Sequence, residues 1–231
     1  LTGEGMNIKE NSTFGKILVD SEQALSLGDS NIFIGRGAGV LNTEGTKNVG
    51  VGDAAFQDNT FGHSNTAIGN NALANNTTGD SNTALGQAAL VFNTTTSGNT
   101  AVGASALTSL ITGTTNTAIG SNALFSALGS SNVAIGNNAG FYETGSNAFY
   151  VNNQNRTDTA GDKAKSLLYG VFASTAAGQK LTINGLLNQS VSKTPASAAA
   201  TGTAGDIAWD ASYIYVCTAT DTWKRVAIAT W

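Results

Sequence analysis

NTAIGNNALANNTTGDSNTALG, Asn65–Gly86, holds a little more than one period of a repeat that runs through over half of the chain. Its opening Asn recurs at Asn31, Asn48, Asn65, Asn82, Asn99 and Asn116, a constant step of 17 residues, and weaker copies begin at Asn132 and Asn147 after steps of 16 and 15. A period this short repeats one turn of a coil, because a helix-pair repeat needs about 33 to 47 residues.

Each column of the aligned turns has its own chemistry. The residue after the Asn is β-branched (Ile32, Val49, Thr66, Thr83, Thr100, Thr117, Val133), and the third is a large aliphatic (Ile34, Val51, Ile68, Leu85, Val102, Ile119, Ile135). Positions two apart share one face of a strand, so a branched face opposes a small one of Ala67, Ala84, Ala101, Ala118 and Ala134. Glycine closes the strand each time (Gly35, Gly52, Gly69, Gly86, Gly103, Gly120, Gly136) and predicts a corner. An Ala seven residues after each Asn, followed in most turns by a large residue (Phe56, Leu73, Leu90, Leu107, Leu124), predicts a second strand. Asn-Thr pairs at Asn42, Asn59, Asn76 and Asn93 predict stacked amide ladders, with a Gly-rich return closing each turn.

The fold class expected is all-β: a parallel β-solenoid of about eight 17-residue turns, two short strands in each, followed by a small antiparallel β module. At about 4.8 Å per turn this makes a rod of roughly 35 to 40 Å. The Ala columns are expected to pack between three coils, which makes the chain a homotrimer.

These turns resemble the head repeats of trimeric autotransporter adhesins (YadA-like), although those repeats are usually shorter by three residues. With NALANNTTGDSNTALG spelled as it is here, they look more like repeats in tail-fibre and tailspike-type proteins of bacteriophages and prophages. The resemblance covers about residues 28 to 153 and implies a left-handed roll in an intertwined trimer.

Composition narrows the function classes. The chain has 231 residues, 28 Gly, one Pro, 41% apolar residues, 11% charged residues and a net charge of −4, with no Lys or Arg cluster, which argues against a nucleic-acid partner. No signal peptide is read at Leu1, and no run of 18 apolar residues predicts membrane insertion. Cys217, the single cysteine, is expected to be a buried small hydrophobe.

The regions expected are an N-terminal attachment or capping segment (1–27), the solenoid (28–153), a short β connector (154–189), a Ser/Ala/Thr-rich linker (190–205) and a C-terminal β cap or knob (206–231). In the connector, Leu167–Phe172 and Lys180–Ile183 read as strands. In the last region Asp206–Trp209, Tyr213–Thr218 and Trp223–Ile228 read as three antiparallel strands, similar to a small module that ends many phage fibres. Trp209, Tyr213, Tyr215, Trp223 and Trp231 are concentrated there and serve either as trimer core or as a sugar-stacking, receptor-binding surface.

Catalysis is not expected. No charged residue occurs between Ser81 and Tyr142, whereas glycoside hydrolysis needs two facing carboxylates. Asp53, Asp58 and Asp80 fall in different columns, the lone His63 has no evident partner, and no nucleophile elbow, phosphate loop, metal spacing or cofactor motif is present. The function expected is therefore a non-enzymatic virion fibre. It would be held by other virion proteins at one end and bind a host cell-surface glycan or protein multivalently. A bacterial trimeric surface adhesin is the alternative, and a remote one is an ice-binding solenoid, disfavoured because the Thr column is expected to point inward.

Overall fold

Each period contributes one short strand, and the strands stack in register. In the computed structural model, which describes residues 8–11, 14–19, 22–28, 30–154, 157–184, 195–210 and 212–228, the chain forms two compact units, Leu1–Gly185 and Leu186–Trp231. The first unit opens with β1 (Ile8–Asn11), β2 (Phe14–Val19) and β3 (Glu22–Gly28), an antiparallel meander that pairs onto β4 (Asn31–Ile34). A parallel solenoid of about seven turns follows: β5 (Val49–Val51), β6 (Thr66–Ile68), β7 (Thr83–Leu85), β8 (Thr100–Val102), β9 (Thr117–Ile119), β10 (Val133–Ile135) and β11 (Ala148–Val151). Equivalent residues face one another across every rung, as Thr66 with Thr83 and Ile68 with Leu85.

The Asn that marks the period is buried and holds the turns together. Asn65 Oδ1 accepts the Asn82 backbone N–H at 2.8 Å, Asn82 Oδ1 accepts that of Asn99 at 3.0 Å, and Asn82 Nδ2 donates to the Thr96 carbonyl at 2.8 Å. The second ladder is present too, with Asn59, Asn76 and Asn93 each donating from Nδ2 to Oδ1 of the Asn one turn before, at 2.6 to 2.9 Å. A third ladder was not anticipated. His63 Nδ1 accepts from the Thr46 N–H, Asp80 Oδ1 from the His63 N–H and Ser97 Oγ from the Asp80 N–H, so His63 and Asp80 are rungs of one column.

The corner glycines behave as their column predicts. Their φ values lie between +115° and +138°, and a Cβ on Gly52 would sit 2.5 Å from the Gly69 carbonyl oxygen, so a side chain is excluded by both backbone and neighbour.

Two expectations fail here. There is no second strand in the turn. Asn71 and Leu73, Ala88 and Leu90, Ser105 and Leu107, and Asn122 and Leu124 adopt left-handed conformations with φ of 50° to 57°. Their N–H groups point alternately backward and forward: Asn71 N–H donates to the Asp53 carbonyl and Leu73 N–H to that of Ala89. Each such residue costs about 1–2 kcal/mol, and full burial of the Leu, worth about 1.5–3 kcal/mol, offsets much of the cost of the pair.

The faces are also reversed. Ala67, Ala84, Ala101, Ala118 and Ala134 line the inside of the coil with no exposed surface, while Ile68, Ile119 and Ile135 point outward and are about 40% exposed. The Thr66 to Thr117 column stands beside them on the outward face, contrary to the inward placement expected. The Leu of the turn reaches into the interior and leaves room opposite for no more than a methyl group. Where the interior is plugged by a ring the Leu is replaced by Gly, with Phe33 against Gly39 in the first turn and Tyr150 against Gly140 in the last.

The end of the period is shifted as well. Ala148, not Asn147, donates its N–H to Asn132 Oδ1 at 2.8 Å, so the last step is 16 residues. Asn147, with φ of 62°, takes the column of Ser131 and Thr115. The polar stretch beyond contains a seven-residue helix, α1 (Thr159–Lys165), capped by Asp158 accepting from the Gly161 N–H. Then β12 (Leu168–Val171) and β13 (Lys180–Ile183) add antiparallel to β11 and complete a 13-stranded sheet.

In the second unit β14 (Ile207–Trp209), β15 (Tyr213–Ala219) and β16 (Thr222–Ala227) form an antiparallel sheet within a residue or two of the expected bounds. Cys217 is buried.

Candidate functional site

Strand alternation divides the aromatic residues of the C-terminal sheet between its two faces. Tyr213, Tyr215, Cys217, Trp223 and Arg225 share one face by cross-strand pairing, and Trp209 lies on the other with Ile207, Ile214, Val216 and Val226. Trp231 lies outside the described residues.

The first face is occupied by the chain itself. The Trp223 indole donates to the Ala200 carbonyl at 3.0 Å, and the ring covers Gly202, where a Cβ would lie 2.6 Å from it. Residues 198–206 are thereby held against the sheet, with Trp223 N–H on Ala198 and Gly205 N–H on Cys217. The Arg225 guanidinium lies 4.1 Å from the centre of the Tyr213 ring. Tyr215 donates its hydroxyl to Asp210 Oδ2 at 2.6 Å; this bond, with the N–H groups of Ser212 and Tyr213, holds the Asp210 carboxyl below its usual range and raises the Tyr215 hydroxyl.

The second face is open and apolar apart from Lys224, which pairs with Val216. Ile207 and Val226 are about 60% exposed and Ile214 and Val216 about 39%. Trp209 is the described aromatic residue of the module on this open face. Sequence alternation carries the signal that separates it from the others, since Trp209 pairs with Ile214 rather than with a tyrosine.

The buried carboxylates lie at the end of the coil. Glu143 accepts from the Gly145 N–H at 2.7 Å and from the Tyr150 hydroxyl, and its Oε2 is 3.2 Å from Lys163 Nζ. Asp162 accepts the Tyr142 N–H at 3.0 Å. Burial and the Glu143 carboxylate push the Tyr150 hydroxyl far above its ordinary value. The cluster seals the interior behind Tyr150 and ties α1 to the last turn. Sequence reasoning missed it because its members come from a loop, a strand and a helix. Along the coil, Asp53 pairs with Arg36 at 2.7 Å. Among the described residues no helix is long and apolar enough to cross a membrane.

Comparison with known proteins supplies the biological setting. The chain is 39% identical over 77 residues to a capsule K30/K69-specific depolymerase of Klebsiella phage K64-1, a stretch covering 33% of this chain and 9% of that protein. It is 56% identical over 36 residues to depolymerase 1, also capsule K30/K69-specific, of Klebsiella phage K5-2, covering 16% of this chain and 4% of that protein. The chain thus spans less than a tenth of the length of either relative. No protein-family model and no solved structure matches it. A parallel β-solenoid with these partial likenesses fits a phage fibre-type protein, while the adhesin-head resemblance gains nothing. The expectation that the chain is not an enzyme is overturned, because the proteins it resembles are named depolymerases, which are enzymes. Scarcity of charge was a poor guide, since it describes one stretch of the coil alone.

Proposed function

We propose that this chain belongs to a virion-associated phage fibre of the capsule-depolymerase kind, which engages and degrades the capsular polysaccharide of its host. The likeness to two capsule-specific depolymerases carries the reading, and the solenoid supplies what such a fibre needs: a rigid spacer whose turns are cross-linked by side-chain ladders. Three copies associate through the outward branched face, from Ile34 to Ile135, because apolar columns of this extent on a parallel sheet are normally covered. The face runs on through Phe149, Gly170 and Leu181, which line an apolar cleft of about 360 Å³. Trp209 and its apolar neighbours on the C-terminal sheet form the receptor surface, and trimerisation multiplies weak contacts into avidity.

The test is incubation of the purified chain with purified Klebsiella K30/K69 capsular polysaccharide. Retention of the polymer and a fall in its size, with release of reducing ends, are expected. A polymer that is neither bound nor shortened overturns the reading, and one bound but left intact removes its enzymatic half.

A further inference from the structure

The first three turns carry a polar cleft that the repeat does not require. Its volume is about 520 Å³, within the range of ligand sites, and its lining is Arg36, Gly37, Asp53, Ala54, Gln57, Asn70 and Asn71. It lies beyond the corner glycines and therefore off the outward branched face.

The columns explain why the cleft is here. Five residues after the Asn the turns read Arg36, Asp53, Asn70, Gln87, Ala104, Ser121 and Asn137, so this mostly polar column carries its two charged side chains at one end. The next column begins with Gly37 and Ala54, which form a low floor; a Cβ on Gly37 would meet nothing nearer than the Ala54 Cα at 4.0 Å. The backbone beneath is fixed, with Ala54 N–H on the Arg36 carbonyl at 2.8 Å and Asn71 N–H on that of Asp53 at 2.9 Å.

The functional groups are set in order. Arg36 Nη2 bonds Asp53 Oδ2 at 2.7 Å, the Asn70 amide leans on the Asp53 carbonyl at 3.4 Å, and Asn71 Nδ2 donates to Asn70 Oδ1 at 2.9 Å. Donors and acceptors alternate along this chain, and the pair is half-exposed, so it contributes little to stability. A charge-compensated, amide-lined cleft with no apolar wall suits neither a lipid nor an apolar peptide. It suits a ligand that both donates and accepts at every position, which is the chemistry of vicinal sugar hydroxyls. The rung spacing of about 4.8 Å is close to the advance of one pyranose in an extended glycan.

We propose that the Arg36–Asp53–Gln57–Asn70–Asn71 cleft is an oligosaccharide-binding subsite, which the glycan crosses along the coil axis. This deepens the capsule reading above and rests on it.

The test is calorimetric titration of the full chain, and of Arg36→Met, Gln57→Ala and Gln87→Ala, with fragments of Klebsiella K30/K69 capsular polysaccharide. Loss of the charged contact at Arg36 is expected to weaken binding roughly tenfold or more and Gln57→Ala roughly threefold. Gln87→Ala, in the same column but outside the cleft, leaves binding unchanged, and all variants keep the circular dichroism and melting temperature of the parent. A parent that binds while Arg36→Met and Gln57→Ala bind equally well overturns the cleft and leaves the capsule reading standing. A parent that binds no fragment overturns both.

Discussion

The Phe33 ring fills the place where a side chain at Gly39 would stand: a Cβ there would lie 2.5 Å from Phe33 Cδ2. Gly39 occupies the column that holds Phe56, Leu73, Leu90, Leu107 and Leu124 in later turns, and Phe33 the column that holds Ala67 onward. The large interior group comes from the strand wall in the first turn and from the opposite wall in the turns of Phe56 to Leu124. Gly39→Leu should therefore destabilise the first unit by at least about 2 kcal/mol, and Phe33→Ala by about 3–5 kcal/mol. The double variant should recover much of the loss, a coupling that chemical denaturation of the four proteins measures. Strict additivity would show that the two side chains do not compete for one space.

Asn82 satisfies two buried backbone groups, the Asn99 N–H and the Thr96 carbonyl. Asn82→Ala leaves the Asn99 N–H without its acceptor and the Thr96 carbonyl with Asn93 Nδ2 alone, at 3.2 Å, and should cost about 1–3 kcal/mol, beyond an exposed Asn→Ala change. Thermal melts of Asn82→Ala beside Asn70→Ala make the comparison, and equal melting temperatures would refute the ladder's role.

Ile68 and Ile119 are about 40% exposed in the single chain, so Lys at either site disturbs its fold little. If the outward face joins three copies, the parent has three times the 23.4 kDa chain mass in analytical ultracentrifugation, and the Ile68→Lys, Ile119→Lys double variant falls to one. A parent that sediments as one chain sinks the trimer. It leaves the Thr66 to Thr117 face bare, and an ice-recrystallisation assay would then decide the ice-binding alternative.

Tyr150 links stability to alkaline pH. Its hydroxyl is raised above the ordinary value of 10.0 by burial first and by Glu143 second. Below that value both folded and unfolded chains keep the proton and the contribution is full. Above it the unfolded chain releases a proton that the folded chain retains, so stability falls by about 1.4 kcal/mol per pH unit. Urea midpoints between about pH 8 and 11 should show the advantage of the parent over Tyr150→Phe shrinking above pH 10. A difference constant across that range would contradict the buried, protonated hydroxyl.

Much of the coil is legible in its columns. The β-branched run and the corner Gly specify a strand and its end through local backbone preference, and stacked Asn columns predict amide ladders because identical side chains at one height complete one another's bonds. The strands of the connector and the C-terminal sheet are equally local. The candidate sites are less so. The Glu143, Tyr150 and Lys163 cluster gathers residues from a loop, a strand and a helix, and no spacing marks it; the polar cleft joins residues one period apart, but the period alone does not mark which turns form it.

The period by itself determined that one turn is repeated, where each turn bends and which residues stack. It also determined that the strand has a branched face and a small one. Only the tertiary structure decided which face is inside, because alternation makes two faces different without ranking them. The ranking follows from volume: the left-handed Leu turn fills the narrow interior, so Ala is the residue that fits opposite and the branched columns are turned outward, where a partner can cover them.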